Sequence, residues 1–470
     1  MNEEYDMPEE SVQALVHRYE KMRRRGETWF FDLDQVGVIS EAYFMHGKLA
    51  KALSAANFGL DIFPNSIPLR LRRAQTLASM NKLKKAKFEL KLILDVEPYN
   101  EEAHLSIASV YGQLNEIEKA VGHYKKAVDE TSDGDLDDIL FELACTLGDQ
   151  FRYSEAIRVL KRALNINPEN DLIIHELAYN MESLESPEVI IAFFHEFLND
   201  HPYSHQAWFY LGQTYLEHGY TEKSIQAFEY CLAINEEFNP GQYCLGQAHF
   251  ALGHFEEAIE ALLLCVEGGQ NGAMLQCQIG ECYEQRDQMK EALACYDLAI
   301  ECDEEWAEAW VGKSVAHDSL GQDAEAFECI SRAYQLEPDN EDVGLLCAEQ
   351  CTKQGNPKRA VVIYQHILDR SSVCIEAWLD LTDVLMQSVG ASDALEVLDQ
   401  GLAENPEHTS LQYRKVAYIY LANKHTEALL LLRHLFQIEP AGITELMDYL
   451  PQITLESEVS EMLQSSGNQA

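Results

Sequence analysis

Prolines recur along this chain at one spacing, and that spacing restricts what the chain can fold into. Pro64 and Pro98 are 34 residues apart, as are Pro168 and Pro202, and Pro406 and Pro440. Pro202 to Pro338 spans four such intervals, and Pro338 to Pro406 spans two. Pro98 to Pro168 spans two intervals plus two residues, which implies a short insertion near Asp135 and Leu136. A fixed period of about 34 residues marks an array of stacked helix-turn-helix units. Cutting at this period gives twelve repeats: 33–66, 67–100, 101–134, 137–170, 171–204, 205–238, 239–272, 273–306, 307–340, 341–374, 375–408 and 409–442. Residues 1–32 are left for an N-terminal capping helix, and 443–470 for a C-terminal cap and tail.

Alignment of the repeats supports the frame. Position twenty is alanine in ten of twelve, from Ala52 and Ala86 to Ala394 and Ala428, where average composition gives about one. Position eight is Gly, Ala or Ser in ten of twelve, including Gly212, Gly246 and Gly280. Small residues at two fixed points let the two helices of a repeat, A and B, approach closely. Trp208, Leu211 and Tyr215 follow i, i+3, i+7 spacing and share one helical face. Asn81, Asn115, Gly219, Gly253, Gly321 and Gly355 fall between the helices, where a helix C-terminus favours Gly or Asn.

These residues resemble the tetratricopeptide repeat (TPR) family. Repeat six carries the pattern most fully, in Trp208, Leu211, Gly212, Tyr215, Gly219, Ser224, Phe228 and Cys231. The resemblance covers residues 33–442 and implies an all-α solenoid, an α-α superhelix of about twelve helix-turn-helix repeats with capping helices. The segment FFDLDQVGVISEAYFMHGKLAKALSAANFGLDIFPNS also resembles long acidic cytoplasmic TPR proteins of Bacteroidetes bacteria. Repeat five departs from the pattern, with Ile190 at the small position and Pro187 opening helix B. The run Gly268-Gly269-Gln270-Asn271-Gly272 replaces a proline. Either place is a candidate hinge.

Charge narrows the function. The chain has 35 Lys plus Arg against 79 Asp plus Glu, a formal net charge of −44. Such a chain repels nucleic-acid phosphate, so no nucleic-acid partner is expected. No apolar run approaches membrane-spanning length, and the acidic start MNEEYDMPEE is unlike a secretory leader. A cytoplasmic location with no membrane partner is expected. Eleven of the twelve cysteines lie between Cys231 and Cys374, without a CxxC pair. Several take repeat core positions, where a free thiol acts as a small apolar residue.

No motif points to catalysis. His201 and His205 straddle Pro202 and do not share a helical face. Gly312-Lys313-Ser314 imitates the end of a phosphate loop, but the earlier glycine is replaced by Ala307 inside an expected helix. The chain is therefore expected to be no enzyme, with no catalytic residues, no cofactor and no metal.

The family resemblance makes positions 2, 5, 6, 9, 12 and 13 of helix A the concave lining. Applied here, that mapping gives a peptide-binding candidate of Phe209, Tyr210, Gln213, Tyr243, Gln247, Phe250, Gln278 and Glu281, flanked by acids such as Glu142, Glu182, Glu284, Glu308, Asp380 and Asp383. Aromatics supply apolar area and amides bond an extended backbone. Surrounding carboxylates favour Lys- or Arg-containing segments. The Lys/Asn carboxylate clamp of chaperone-binding relatives is missing, since position five is never Lys. A basic island interrupts the acidic chain: Arg70, Arg72, Arg73, Lys82, Lys84, Lys85, Lys87 and Lys91 against Glu89 alone, with Lys21, Arg23, Arg24 and Arg25 nearby. It is a candidate docking patch for an acidic partner. The expected function is a non-enzymatic protein-protein interaction scaffold that binds extended peptides. The alternative is a self-assembling homo-oligomer that joins its basic N-terminal region to an acidic C-terminal region.

Overall fold

The computed structural model describes residues 9–130, 136–269, 272–456 and 459. The two-residue insertion near Asp135, the centre of the glycine run at Gln270 and Asn271, and the tail from 460 onward lie outside them. Among the described residues there are 26 α-helices and no strand. No helix is long and apolar enough to cross a membrane. The chain divides into two compact bodies, residues 1–236 and 237–470. The division falls at the end of repeat six. There the period proline is replaced by Glu236, and Phe238 opens the next helix without a side-chain cap.

Each body is a stretch of α-solenoid built from helical hairpins. In the first, repeat one pairs Leu33–Met45 with Leu49–Ile62, and repeat six pairs His205–Glu217 with Thr221–Ile234. In the second, repeat seven pairs Asn239–Ala251 with Phe255–Glu267, and repeat twelve pairs Thr409–Leu421 with His425–Ile438. Local chemistry sets the starts. Asp32, Ser66, Asn100, Asn170, Ser204 and Asn340 each accept a hydrogen bond from a backbone N–H in the first turn of a helix A, worth roughly 1 kcal/mol apiece. All ten position-twenty alanines are fully buried, so the hairpins close on a methyl group. Repeat five is the exception: Asp171–Glu182 and Pro187–Asp200 touch each other far less than other hairpin partners, because Ile190 fills the place of that methyl.

The turn between helices is fixed by backbone sterics. In ten repeats the fifteenth residue is left-handed, with φ between 58° and 78°. Glycine or asparagine holds eight of these positions, and Phe151 and Asp287 hold the others. Phe151 has φ 59° and is 79% exposed, so little burial offsets its strain. A left-handed L-residue costs roughly 1–2 kcal/mol. Phe151→Gly is therefore expected to raise stability by about 1 kcal/mol, read as a higher urea midpoint. An unchanged or lower midpoint would mean that the exposed ring stabilises more than the backbone conformation costs.

Consecutive hairpins are linked by a contact absent from the sequence reading. In six repeats the fourth residue of helix A donates to the carbonyl six residues earlier, in the loop from the preceding repeat. The pairs are Arg70 with Pro64 (3.0 Å), His104 with Pro98 (2.9 Å), Trp208 with Pro202 (2.9 Å), Trp310 with Glu304 (3.0 Å), Trp378 with Ser372 (3.0 Å) and Gln412 with Pro406 (2.7 Å). Each satisfies a loop carbonyl that the helix ladder cannot reach.

Both ends are closed by apolar packing. The N-terminal helix Glu9–Arg25 buries Tyr19 and Met22 with Phe31, Tyr43 and the ring of Phe58. The C-terminal helix Ile443–Tyr449 buries Ile443 and Leu446 against Tyr413, Val416 and Leu432 of repeat twelve.

Candidate functional site

Rings and amides of the candidate groove separate into two kinds. In the first body, Phe209 and Tyr210 are buried, 7% and 8% exposed. Phe209 leans on Phe228 at 6.1 Å, and Tyr210 stacks on Phe194 at 6.3 Å. The Tyr210 hydroxyl and His175 Nδ1 share a short hydrogen bond. Burial, then the charges of Glu182 and Asp171, pushes the Tyr210 phenol up to about 12. These two rings hold neighbouring helices together, and only Gln213 beside them is half exposed.

In the second body the arrangement is open. Tyr243 is half-buried, and its hydroxyl accepts hydrogen bonds from Gln247 Nε2 and Gln278 Nε2, both at 2.9 Å. Gln278 Oε1 has no partner. Phe250 is exposed and set edge-on to Phe255 at 5.5 Å. Glu281 is exposed on the same face as Gln278, one turn further on. The surrounding protein still desolvates Glu281 and, with Glu284 and Glu308, raises its pKa. Desolvation also raises Glu284, although Tyr296 donates to its carboxylate at 3.0 Å. No ion pair to a Lys or Arg engages Glu281, Glu284 or Glu308 among the described residues. Asp380 is likewise raised, by burial and then by Asp383.

The basic island is not one continuous surface. Arg72 pairs with Glu41 at 2.9 Å, Arg73 with Glu89 at 2.6 Å and Lys87 with Glu116 at 2.8 Å. Arg70 is spent on the Pro64 carbonyl. Lys82, Lys84, Lys85 and Lys91 remain exposed along Leu83–Val96, around Phe88, which is 61% exposed.

The remaining sequence features resolve into packing. Gly312-Lys313-Ser314 lies within Ala307–Ser319. Gly312 makes room for the Tyr296 ring, Lys313 pairs with Asp297 at 2.6 Å, and Ser314 donates to the Ala326 carbonyl at 2.8 Å. His201 stacks near Phe197, and His205 faces Asp171 at 3.8 Å. His104 and His123 share a 2.8 Å hydrogen bond between Nδ1 atoms. Burial, then the charge of His104, lowers the His123 pKa to about 4. Among the described residues no group of three His, Cys, Asp or Glu side chains is placed to hold a metal. Cys244 and Cys277, on the expected inner face, are buried, as are most of the free thiols.

The tetratricopeptide repeat family model matches six segments: residues 101–133, 137–170, 205–238, 242–267, 275–305 and 307–340. This chain is a tetratricopeptide-repeat protein. The TPR matches fall on repeats three, four and six to nine. Repeats one, two and ten to twelve form the same hairpins with sequences further from the family pattern, and repeat five forms a looser pair. Among solved structures, the chain is similar to the TPR protein YrrB, described as having an unusual peptide-binding site. Identity is 15%, over 39% of this chain and 95% of that one, with a TM-score of 0.33. It is also similar to the APC/C hetero-tetramer Cut9–Hcn1. Identity there is 14%, over 85% of this chain and 92% of that one, with a TM-score of 0.37. No curated protein matches the chain.

Proposed function

We infer that this TPR protein is a non-enzymatic interaction scaffold that binds an extended, basic peptide segment on the inner, helix-A face. The observation that carries this reading is the part-buried Tyr243–Gln247–Gln278 array of the second body, beside the exposed Phe250 and Glu281. Side-chain amides and a tyrosine hydroxyl at a surface can bond the backbone groups of an extended peptide in series. Phe250 offers exposed apolar area beside it. Glu281 and Glu284, raised by desolvation and without a basic neighbour to pair with, favour an incoming Lys or Arg.

The test is fluorescence anisotropy of the whole chain with arrayed peptides that combine Lys or Arg with an aromatic residue. Phe250→Ala and Glu281→Gln change exposed side chains and leave the fold intact. Combined with Gln278→Ala, they are expected to weaken capture about tenfold or more. Capture should also weaken on acidification from neutral pH, at a higher pH than ordinary carboxylates would produce. Carboxylates with raised pKa protonate earlier on acidification than ordinary ones, and the attraction disappears with their charge. Peptide capture indifferent to all three substitutions would place the binding surface elsewhere.

A further inference from the structure

A second site lies in the first body, where the N-terminal helix Glu9–Arg25 meets repeat one. A 220 Å³ cavity there is lined by Tyr19, Glu20, Arg23, Arg24, Tyr43, Lys51 and Ser54. It is smaller than the roughly 300–1,000 Å³ of pockets that take whole small molecules, so it suits one charged group. Three cations and one carboxylate line it in a chain whose net charge is −44. Glu20 is the internal counter-ion: Lys51 Nζ reaches it at 2.6 Å, Arg24 at 3.3 Å and the Tyr43 hydroxyl at 3.1 Å. Two positive charges remain beyond those that Glu20 balances. Arg23 donates to the Ser54 hydroxyl at a long 3.5 Å and is in no ion pair among the described residues.

The Tyr19 hydroxyl sets this cavity apart from an ordinary surface ion-pair cluster. Tyr19 is 4% exposed, and its buried hydroxyl has the Ser54 hydroxyl near it but closes no well-formed hydrogen bond. A buried hydroxyl without a partner is costly, and phenylalanine would pack in the same space without that cost. Ser54 and Arg23 lie near enough to oppose the rise that burial imposes on its pKa. A buried hydroxyl has thus been kept beside a cationic cavity with only Ser54 as a poorly placed partner.

We propose that this cavity binds a phosphomonoester dianion, with Arg23, Arg24 and Lys51 holding its oxygens and the Tyr19 and Ser54 hydroxyls donating to it. The net charge of the lining matches a dianion. Guanidinium forks bond phosphate oxygens in pairs, and a phosphate offers enough acceptors for two hydroxyls as well. The same chemistry comes either from free phosphate or from a phosphorylated side chain of a partner, and the probes below separate these sources. The site lies wholly in the first body and is independent of the peptide groove proposed for the second.

The experiment is isothermal titration of the whole chain with inorganic phosphate, a Gly-phosphoserine-Gly peptide and the same peptide unphosphorylated. Phosphorylated probes are expected to bind and the unphosphorylated peptide to fail. Binding of inorganic phosphate as tight as that of the peptide would assign a free ligand; a tighter peptide would assign a phosphorylated partner. Tyr19→Phe is the decisive variant. It should lower phosphate affinity about tenfold, while the melting temperature without phosphate holds or rises. Arg23→Ala should abolish binding. Glu20→Gln should tighten it, by removing the competing carboxylate. No binding of either phosphorylated probe, or binding unchanged in Tyr19→Phe and Arg23→Ala, overturns the proposal.

Discussion

Gly312→Ala is expected to destabilise the second body by about 3 kcal/mol. A methyl group at Gly312 would stand 2.3 Å from Cζ and 2.4 Å from Cε1 of Tyr296. The ring cannot retreat. Gly280 packs on the same ring, where a methyl group would meet it at 2.8 Å. The Tyr296 hydroxyl is tied to Glu284, and the side chain is 1% exposed. Denaturant unfolding of the whole chain provides the readout, with Gly122→Ala as the contrast. Gly122 sits on an exposed face of Ile117–Glu130, with nothing within 4 Å of a methyl group there. The same substitution should stabilise that helix by roughly 0.5–1 kcal/mol. Opposite signs for one chemical change would establish that glycine at 312 serves the ring. A loss under about 1 kcal/mol at Gly312 would show that the ring can move aside.

Asp383→Ala is expected to loosen the C-terminal cap and lower stability by about 3–5 kcal/mol. Its carboxylate gathers three groups. Arg414 pairs with one oxygen, and the hydroxyls of Tyr418 and Tyr449 donate to the other at 2.5 and 2.6 Å. Arg414 lies over the Tyr449 ring, 3.7 Å from its centroid, and its side chain is 11% exposed. Burial then pushes the Tyr449 phenol up to about 12, and hydrogen bonding to Asp383 adds to the rise. Removing the carboxylate strands a buried guanidinium and breaks the hydrogen bond that ties Tyr449 of Ile443–Tyr449 to repeat eleven. Amide hydrogen exchange should accelerate through Ile443–Tyr449 in particular. Adding Arg414→Met removes the stranded charge, and the double variant should recover much of the loss. Unchanged exchange in the single variant would mean that Ile443 and Leu446 hold the cap unaided.

The period, the small positions and the turn were legible in the sequence because each follows from a steric demand that only a few residue types meet. Position twenty must be small for two helices to touch, and the turn must tolerate positive φ. Phe151 and Asp287 show the limit of that logic: the backbone conformation persists after the residue that favours it has gone. The groove was read less completely. Phe209 and Tyr210 occupy positions that face inward in the repeat pattern. Whether such a ring is presented or buried depends on its neighbours, here Phe194 and Phe228, which lie far away in sequence. The basic island was read as one patch because charge counts carry no direction. Arg72 and Arg73 each turn toward a carboxylate on another helix and Lys87 toward one in a turn, whereas the cavity around Tyr19 needed a buried hydroxyl that no charge count reveals.

The fourth-position link to the preceding loop has a consequence for how such an array can diverge. Its acceptor is a main-chain carbonyl, present whatever residue stands there; proline, glutamate and serine all serve. Its donor is a guanidinium, an imidazole, an indole or an amide. Reach and one N–H are the whole specification. A duplicated hairpin can therefore exchange the side chain that grips its predecessor for a chemically unrelated one and lose nothing of the grip. Neighbours in the array are free to drift apart in sequence, each toward its own surface, while the spacing between them stays the same.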